Sequence, residues 1–476
     1  MFYYIIILDF AKKLQNEENM LLEFKVKNYK SFRDEMCFSM EPAPKQKDLE
    51  YSILKQKICN KDYRALSSSV IYGPNAAGKS NIIGAIDTLQ NIIRRGNIKN
   101  EPVLNKNVAA NSLELIPNNS LKYKKPVEFY IKFIDNSILF EYFLKLDLGM
   151  FLGNTDNVNS RKIIQEKLVI NSNVIFSRDE KITLGSFKNF TDKVSPFVKE
   201  DSVIFEEGIR SSLADTDLFL TTGFKYIVSS ELANMVINWF NKKLIILYDL
   251  DNYRTNVTFS GKKEIPKLVI QDYIDNIARY IGITSNHICY YCPNDSNVFS
   301  MGSIIENERL KVIIPSEVIE SKGTNRFLNL FWPVVNAFEN GVTLLVDEMD
   351  NSLHPMILMS IINIFHNDEL NTNNAQLIFD THNPIFLNAN LFRRDEIKFV
   401  ERDDAGISTT YALSDIINPC DNTKVRAGAD YMKNYFINKY GAIKDIDLEP
   451  LFKEISVKKL GIEGIRVESN FASRKI

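Results

Sequence analysis

Gly73, Pro74, Asn75, Ala76, Ala77, Gly78, Lys79 and Ser80 have the types and spacing of a phosphate cradle. Glycines at the first and sixth positions let backbone N–H groups wrap an anion, the lysine reaches outer phosphates, and the serine hydroxyl can join a Mg²⁺ shell. A glycine-rich helix start without a ligand is the competing reading, and the flanks weigh against it. Ser67 to Tyr72 is a short strand-like run, and Ile82, Ile83, Ile86, Leu89 and Ile93 recur at helical spacing after Ser80. Strand, loop and helix in that order predict a P-loop that binds ATP with Mg²⁺.

Such a site needs an acid at the end of an apolar strand to position Mg²⁺, and hydrolysis needs a group that orients water. Thr343 to Val346 followed by Asp347 and Glu348 supplies both, with Asp347 at the metal and Glu348 as general base. A rival run, Leu244 to Asp249, lacks the adjacent glutamate. Further on, Gln376 to Phe379 leads to Asp380, Thr381, His382 and Asn383. A histidine at a strand end beside a terminal phosphate can hydrogen-bond to it and register its loss, which nominates His382.

The elements around these residues follow from periodicity. Residues 21 to 40 read as two strands joined by a turn, Val127 onward as a β-hairpin, and Lys162 to Leu184 as a further strand pair. Helical spacing appears in Glu231 to Phe240 and Ile265 to Ile281. After Thr343 the order is strand, helix near Met356 to Phe365, strand, and a helix after Pro384. The expected organisation is an N-terminal extension (1–19), the first half of an α/β head (20–190), an inserted mainly helical lobe (191–294), and the second half of the head (295–476).

Composition narrows the class. With 476 residues, 45% hydrophobic and 25% charged, the chain can bury a large core, and a net charge of -2 carries no global basic field for nucleic acid. Five scattered cysteines argue for a reducing compartment, hence the cytosol. The apolar opening Phe2 to Ile7 is too short to cross a bilayer and lacks the flanks of a signal peptide. No membrane association is expected.

Asp347 to Pro355, the Thr381-His382-Asn383 end, and roughly 265 residues between the two nucleotide motifs together resemble an ABC-type ATPase head of the SMC, recombination-repair and OLD group. That resemblance implies a signature segment opening a helix, which contacts the γ-phosphate held by a second subunit. Ser321 and Gly323, about 20 residues before the Thr343 strand, match it in place and type, although a plain helix cap reads the same. The resemblance also makes Asp350 a dimer-interface residue and implies a homo-oligomer, at least a dimer. No glutamine matches the family's Q-loop, and Lys30, Ser31 and Phe32 are candidate neighbours of the base or ribose.

Lys424 to Tyr431, continuing to Lys439 to Ile443, resembles the tail of bacterial ATP-binding proteins from antiphage and abortive-infection operons. This implies a separately encoded effector, a nuclease or toxin, with DNA or a phage protein as trigger. Phe399 to Asp404 is not followed by the second acidic pair of a TOPRIM nuclease. The alternative implied function is an SMC-like ATPase of DNA maintenance or repair. His287, Cys289 and Cys292 supply only three zinc ligands where a structural site takes four. The basic groups Arg254 with Lys262 and Lys263, Arg393 with Arg394, and Lys424 with Arg426 read first as solvated surface.

Overall fold

The computed structural model describes residues 19–44, 46–58, 60–99, 115–118, 120, 125–148, 161–188, 190–195, 213–248, 250, 268–270, 272–280, 287–291, 300–306, 311–417, 423–444, 447–450 and 452. Met1–Ala442 form one compact unit and Ile443–Ile476 a second.

Strands β1 (Asn19–Lys27) and β2 (Met36–Ser39) are followed by the hairpin β3 (Ile53–Ile58) and β4 (Lys61–Leu66), then β5 (Ser68–Tyr72) and helix α1 (Lys79–Arg95). Next come β6 (Val127–Asp135), β7 (Ile138–Asp147), β8 (Lys162–Ile170), β9 (Asn173–Arg178) and β10 (Ile182–Leu184). These build a seven-stranded antiparallel sheet in the order β10-β9-β8-β7-β6-β1-β2. Along β6, Val127, Phe129, Ile131 and Phe133 are buried while Glu128, Tyr130 and Lys132 are half-buried. That is the period of two expected where one face of a sheet meets a core.

Helix α2 (Ser230–Asn238), strands β11 (Leu244–Leu247) and β12 (Leu268–Ile270), helix α3 (Asp272–Tyr280) and β13 (His287–Tyr291) follow. Then come β14 (Ser300–Glu306), β15 (Lys311–Pro315), α4 (Ser316–Ile319), α5 (Lys322–Asn340), β16 (Thr343–Val346), α6 (Pro355–His366), β17 (Gln376–Asp380), β18 (Ile397–Arg402), β19 (Ser408–Ala412) and α7 (Tyr431–Phe436).

A six-stranded sheet in the order β11-β16-β17-β5-β18-β19 carries the candidate site. Every pair in it is parallel except β18 with β19. β5, β16 and β17 are buried at every residue, as parallel strands covered on both faces must be. Ile71, Leu345, Ile378 and Val400 enter the core shared with α1 and the seven-stranded sheet. Val70, Leu344, Val346, Leu377 and Phe379 enter the core shared with α5 and α6 on the other side.

Three expectations change. The block 191–294 is not a separate helical lobe among its described residues: β11 pairs in parallel with β16 in the head sheet. β12 and β13 join β14 and β15 in a four-stranded antiparallel sheet that crosses the 294/295 boundary. The short apolar run Leu244–Leu247 is the reason, since an uninterrupted apolar tetrapeptide suits a doubly covered strand. Third, the segment directly after Asn383 is a 3₁₀ turn, Pro384–Phe386, and not a longer helix, because Asn388 turns the chain by accepting from the Asn390 N–H. Residues 1–18 and Asp249 lie outside the described residues.

Gln376 ties the two large sheets together. The register of β1 shifts between Leu21 and Glu23, and the Leu21 N–H donates to Gln376 Oε1 at 2.6 Å. Oε1 also accepts from Thr343 Oγ1, while Nε2 donates to the carbonyls of Leu21 and Leu66. The side chain is fully buried, and all four of its hydrogen-bonding positions are used. Gln376→Leu keeps the volume but strands three backbone groups, so chemical denaturation should register a loss of about 3 kcal/mol. An unchanged midpoint would remove Gln376 from this role.

Candidate nucleotide site

The phosphate loop leaves β5 at Tyr72 and enters α1 at Lys79. Gly78 sits at φ 111°, where a Cβ would lie 2.7 Å from Ser31 Oγ and 2.8 Å from Ser408 Oγ, so the position demands glycine. The pocket behind it is built from remote segments. Asn81 Nδ2 donates to Ser31 Oγ at 2.7 Å, the Ser408 hydroxyl donates to the Ala77 carbonyl, and the Ser408 N–H donates to the Ser31 carbonyl at 2.8 Å. Arg402 Nη1 donates to the Ala76 carbonyl at 3.2 Å. Asn75, Ala76 and Ser80 are exposed and Pro74 is half-buried. Ser31 therefore braces the loop from behind.

Lys79 is buried. Its ammonium donates to the Gly73 carbonyl at 3.0 Å and to the Pro74 carbonyl at 3.4 Å, and lies 3.2 Å from His382 Nε2. An ammonium has no acceptor to offer, so Nε2 accepts and Nδ1 carries the imidazole proton. Burial, and then the charge of Lys79, lower the His382 pKa, and burial lowers that of Lys79. His382 is thus a neutral hydrogen-bonding group beside the phosphate loop.

Asp347, Glu348 and Asp380 meet at the ends of β16 and β17. The Glu348 N–H donates to Asp380 Oδ1 at 2.6 Å, and Glu348 has a φ of 48°, a left-handed conformation that costs energy for a residue with a side chain. Burial, then the neighbouring Asp347 carboxylate, push the Asp380 carboxyl up to about 8. Asp347 Oδ1 is buried and accepts no hydrogen bond. An orphaned carboxylate oxygen is costly unless something satisfies it, and the hydrated shell of a Mg²⁺ ion fits that need. Asp347 and the exposed Ser80 hydroxyl are the residues here that could hold one.

Asp380 was missed as a site residue. Its only sequence signal was a charged residue closing an apolar strand immediately before Thr381 and His382. Arg326 was missed as well. It projects from α5, is buried, and donates to the Glu348 carbonyl at 3.1 Å, a contact across 22 residues that no local pattern reveals.

Ser321 caps α5: its exposed hydroxyl accepts from the Thr324 N–H at 3.1 Å. Two residues on, Gly323 packs against the turn that follows Asp350, where a Cβ would lie 2.6 Å from the Ser352 carbonyl. Asp350 is half-buried, and its charge acts on both Lys79 and His382. Ser321 and Gly323 are thus gathered with the Asp350 turn, while the hydrogen bonds of the Ser321 hydroxyl stay within its own helix start. Elsewhere, Cys289 is buried with its thiol pushed up to about 12 by burial, and the His287 imidazole pairs with Asp275. Cys292, Arg254, Lys262 and Lys263 lie outside the described residues. No group of three or more metal-ligating side chains is gathered among the described residues.

A P-loop opening onto a parallel sheet, with β17 lying between the strand of the loop and the strand of Asp347 and Glu348, defines an α/β nucleotide-binding protein. The family described as "AAA domain, putative AbiEii toxin, Type IV TA system" matches residues 68–388. The chain belongs to that family of AAA ATPase domains. No curated protein matches it. Among solved structures, the SMC head domain from Thermotoga maritima is similar at 14% identity, over 82% of this chain and 98% of that one, with a TM-score of 0.33. An SMC head solved with the C-winged helix domain of ScpA is similar at 12% identity, over 82% and 97%, with a TM-score of 0.34. No described helix is long and apolar enough to cross a membrane.

Asp380→Asn keeps an oxygen for the Glu348 N–H, and Asp380→Ala does not. Urea denaturation should place the Asn variant within about 1 kcal/mol of the parent and the Ala variant about 2 kcal/mol below it. Equal losses in the two would mean that the hydrogen bond to Glu348 is not what Asp380 contributes.

Proposed function

We propose that this protein hydrolyses ATP with Mg²⁺ in a dimer of heads, and that the nucleotide state is the switch of a cytosolic antiphage system controlling a separately encoded effector. The observation that carries the nucleotide chemistry is the meeting of Lys79, His382 and the Asp347 group, with an unsatisfied buried oxygen on Asp347. Lys79 exchanges its two carbonyl partners for phosphate oxygens. Glu348 takes a proton from the attacking water, and its side chain is aimed by the turn that Asp380 and Arg326 hold. Once Lys79 turns away, His382 shifts its single proton from Nδ1 to Nε2 and, still neutral, donates from Nε2 to the terminal phosphate. Mg²⁺ between Ser80 and Asp347 would supply charge neutralisation between the phosphates.

The dimer reading is supported by the exposure of Ser321 and by the Gly323 contact with the Asp350 turn, which present the segment as one outward-facing unit. The defence setting is supported by the family's toxin–antitoxin description. That description also leaves a toxin within the family, so the separate effector is a proposal with its own test. Expression of this chain alone should leave bacterial growth unchanged, and growth arrest that depends on Lys79 would place the toxic activity in this chain.

Lys79→Ala should abolish binding of a fluorescent ATP analogue. Glu348→Gln should keep binding, slow turnover by about 100-fold or more, and accumulate an ATP-dependent dimer visible by light scattering. Ser321→Arg should bind nucleotide as a monomer and lose turnover. Full turnover by a Ser321→Arg monomer would rule out the composite site.

A further inference from the structure

The phosphate loop lies along the β18–β19 hairpin, one contact after another. A Cβ on Gly73 would lie 2.4 Å from the Val400 carbonyl oxygen, the Ala76 carbonyl accepts from Arg402 Nη1 at 3.2 Å, and the Ala77 carbonyl accepts from the Ser408 hydroxyl. Gly78 closes the row against Ser408 Oγ.

Within that row Ala76 stands in a conformation that its side chain resists. The Ala77 N–H donates to the Pro74 carbonyl at 3.1 Å and closes a β-turn over Pro74–Ala77, in which Ala76 has a φ of 63°. A β-turn whose third residue is left-handed takes glycine there, because glycine has no Cβ to strain it. Alanine disfavours the same geometry by about tenfold in population, a cost that contacts from outside the turn have to offset.

Arg402 is placed to do so. Its Nε donates to the Gly406 carbonyl at 2.9 Å, which folds the guanidinium back over the hairpin's own turn and leaves Nη1 for Ala76. That turn is itself well defined: Asp403 Oδ1 accepts from the Ile407 N–H at 2.7 Å, and the Gly406 N–H donates to the Asp403 carbonyl at 2.9 Å. Gly406 has a φ of 78°, and a Cβ there would lie 3.2 Å from Arg402 Nη2. A guanidinium carries its donors in a rigid plane, so the bond to Gly406 aims the bond to Ala76.

We infer that Arg402 is a positioning residue for nucleotide binding: it holds the left-handed Ala76 turn, and with it the phosphate loop, in the shape that receives phosphate before a nucleotide arrives. In a trans peptide the N–H points opposite to the C=O, so the Ser408 bond to the Ala77 carbonyl turns the Gly78 N–H away from the hairpin. Backbone N–H groups are what such a loop presents to an anion, and a loop already ordered loses less entropy on binding. This role rests on the proposed binding of nucleotide by the same loop, and it concerns affinity and not the chemical step. A direct contact from Arg402 to the nucleotide would be a different role, and Ala76→Gly tells the two apart. It relieves the strain that the clamp offsets, whereas a direct contact would be indifferent to it.

The test measures binding of the fluorescent ATP analogue and steady-state turnover in the full chain with Arg402→Ala, Ala76→Gly and the double variant. Arg402→Ala should weaken binding about tenfold and raise KM by a similar factor, with kcat kept within about twofold. Made on top of Ala76→Gly, the same substitution should change binding by less than about twofold. Without nucleotide, amide hydrogens of the 73–80 segment should exchange about tenfold faster in Arg402→Ala than in the parent, followed by mass spectrometry. Equal losses of binding from Arg402→Ala with and without Ala76→Gly would overturn the proposal and make Arg402 a direct ligand of the nucleotide. Binding or exchange indifferent to Arg402→Ala would overturn it as well. Failure of the nucleotide reading shows differently, as a parent that binds the analogue no better than Lys79→Ala does; the role of Arg402 in binding then falls with it, while exchange still reports whether Arg402 holds the loop.

Discussion

The arrangement depends on a constraint at β17: a central strand buried on both faces has to satisfy every polar side chain it carries. It carries two, Gln376 at its start and Asp380 at its end, and the period of a strand sets both on one face with Ile378 between them. Gln376 spends its hydrogen bonds on β1, the end of β4 and β16, so the seven-stranded and six-stranded sheets hold one registry. Asp380 spends its own on the Glu348 N–H. The same strand thus sets how the sheets stack and where the acidic turn stands. Replacing either residue by an apolar one leaves buried backbone groups without partners, a larger cost than the contact itself contributes.

The acidic turn shows how local strain is kept in place. Glu348 adopts a left-handed conformation that a non-glycine residue avoids. Its N–H is taken by Asp380 and its carbonyl by Arg326, one partner from the sheet and one from α5. Two independent elements therefore hold the two peptide groups that flank Glu348. A side chain positioned this way is aimed before any ligand arrives, which is how a site avoids reorganising at the moment of reaction.

The phosphate loop, Asp347, Glu348 and His382 could be read in the sequence because each sits at the end of a strand whose apolar run announces it, and because their residue types have few other uses in that order. The Ser31 and Ser408 brace, the Arg402 contact to Ala76, and Arg326 could not. Ser408 lies 331 residues from Ala77, and a serine in a turn or an arginine in a helix has no type signal that points across such a distance. The same limit applies to the 191–294 block. The helical spacing around Glu231 was legible and α2 is there, but nothing in Leu244–Leu247 said which sheet it would join. Pairing partners are long-range information, and a short apolar run fits several.

Tyr72 stands where these layers meet. As the last residue of β5 it delivers the phosphate loop, its hydroxyl holds the carbonyl of Asn383 next to His382, and its ring packs against Phe399 and Tyr435. Movement of His382 relative to the loop would pull on the Asn383 carbonyl and so on Tyr72, and the close packing of the aromatic cluster leaves little slack to absorb it. Phe399 stacks on Tyr435 with an interplanar angle of 15°, so Tyr72 and α7 belong to one packed aromatic cluster. In the other direction, whatever holds α7 restrains the same ring. The nucleotide loop and α7 are thus in contact through packed rings with no flexible segment between them. The contact follows from placing one aromatic residue between a loop that must turn its carbonyls away from Lys79 and a short helix whose outer face is left to solvent.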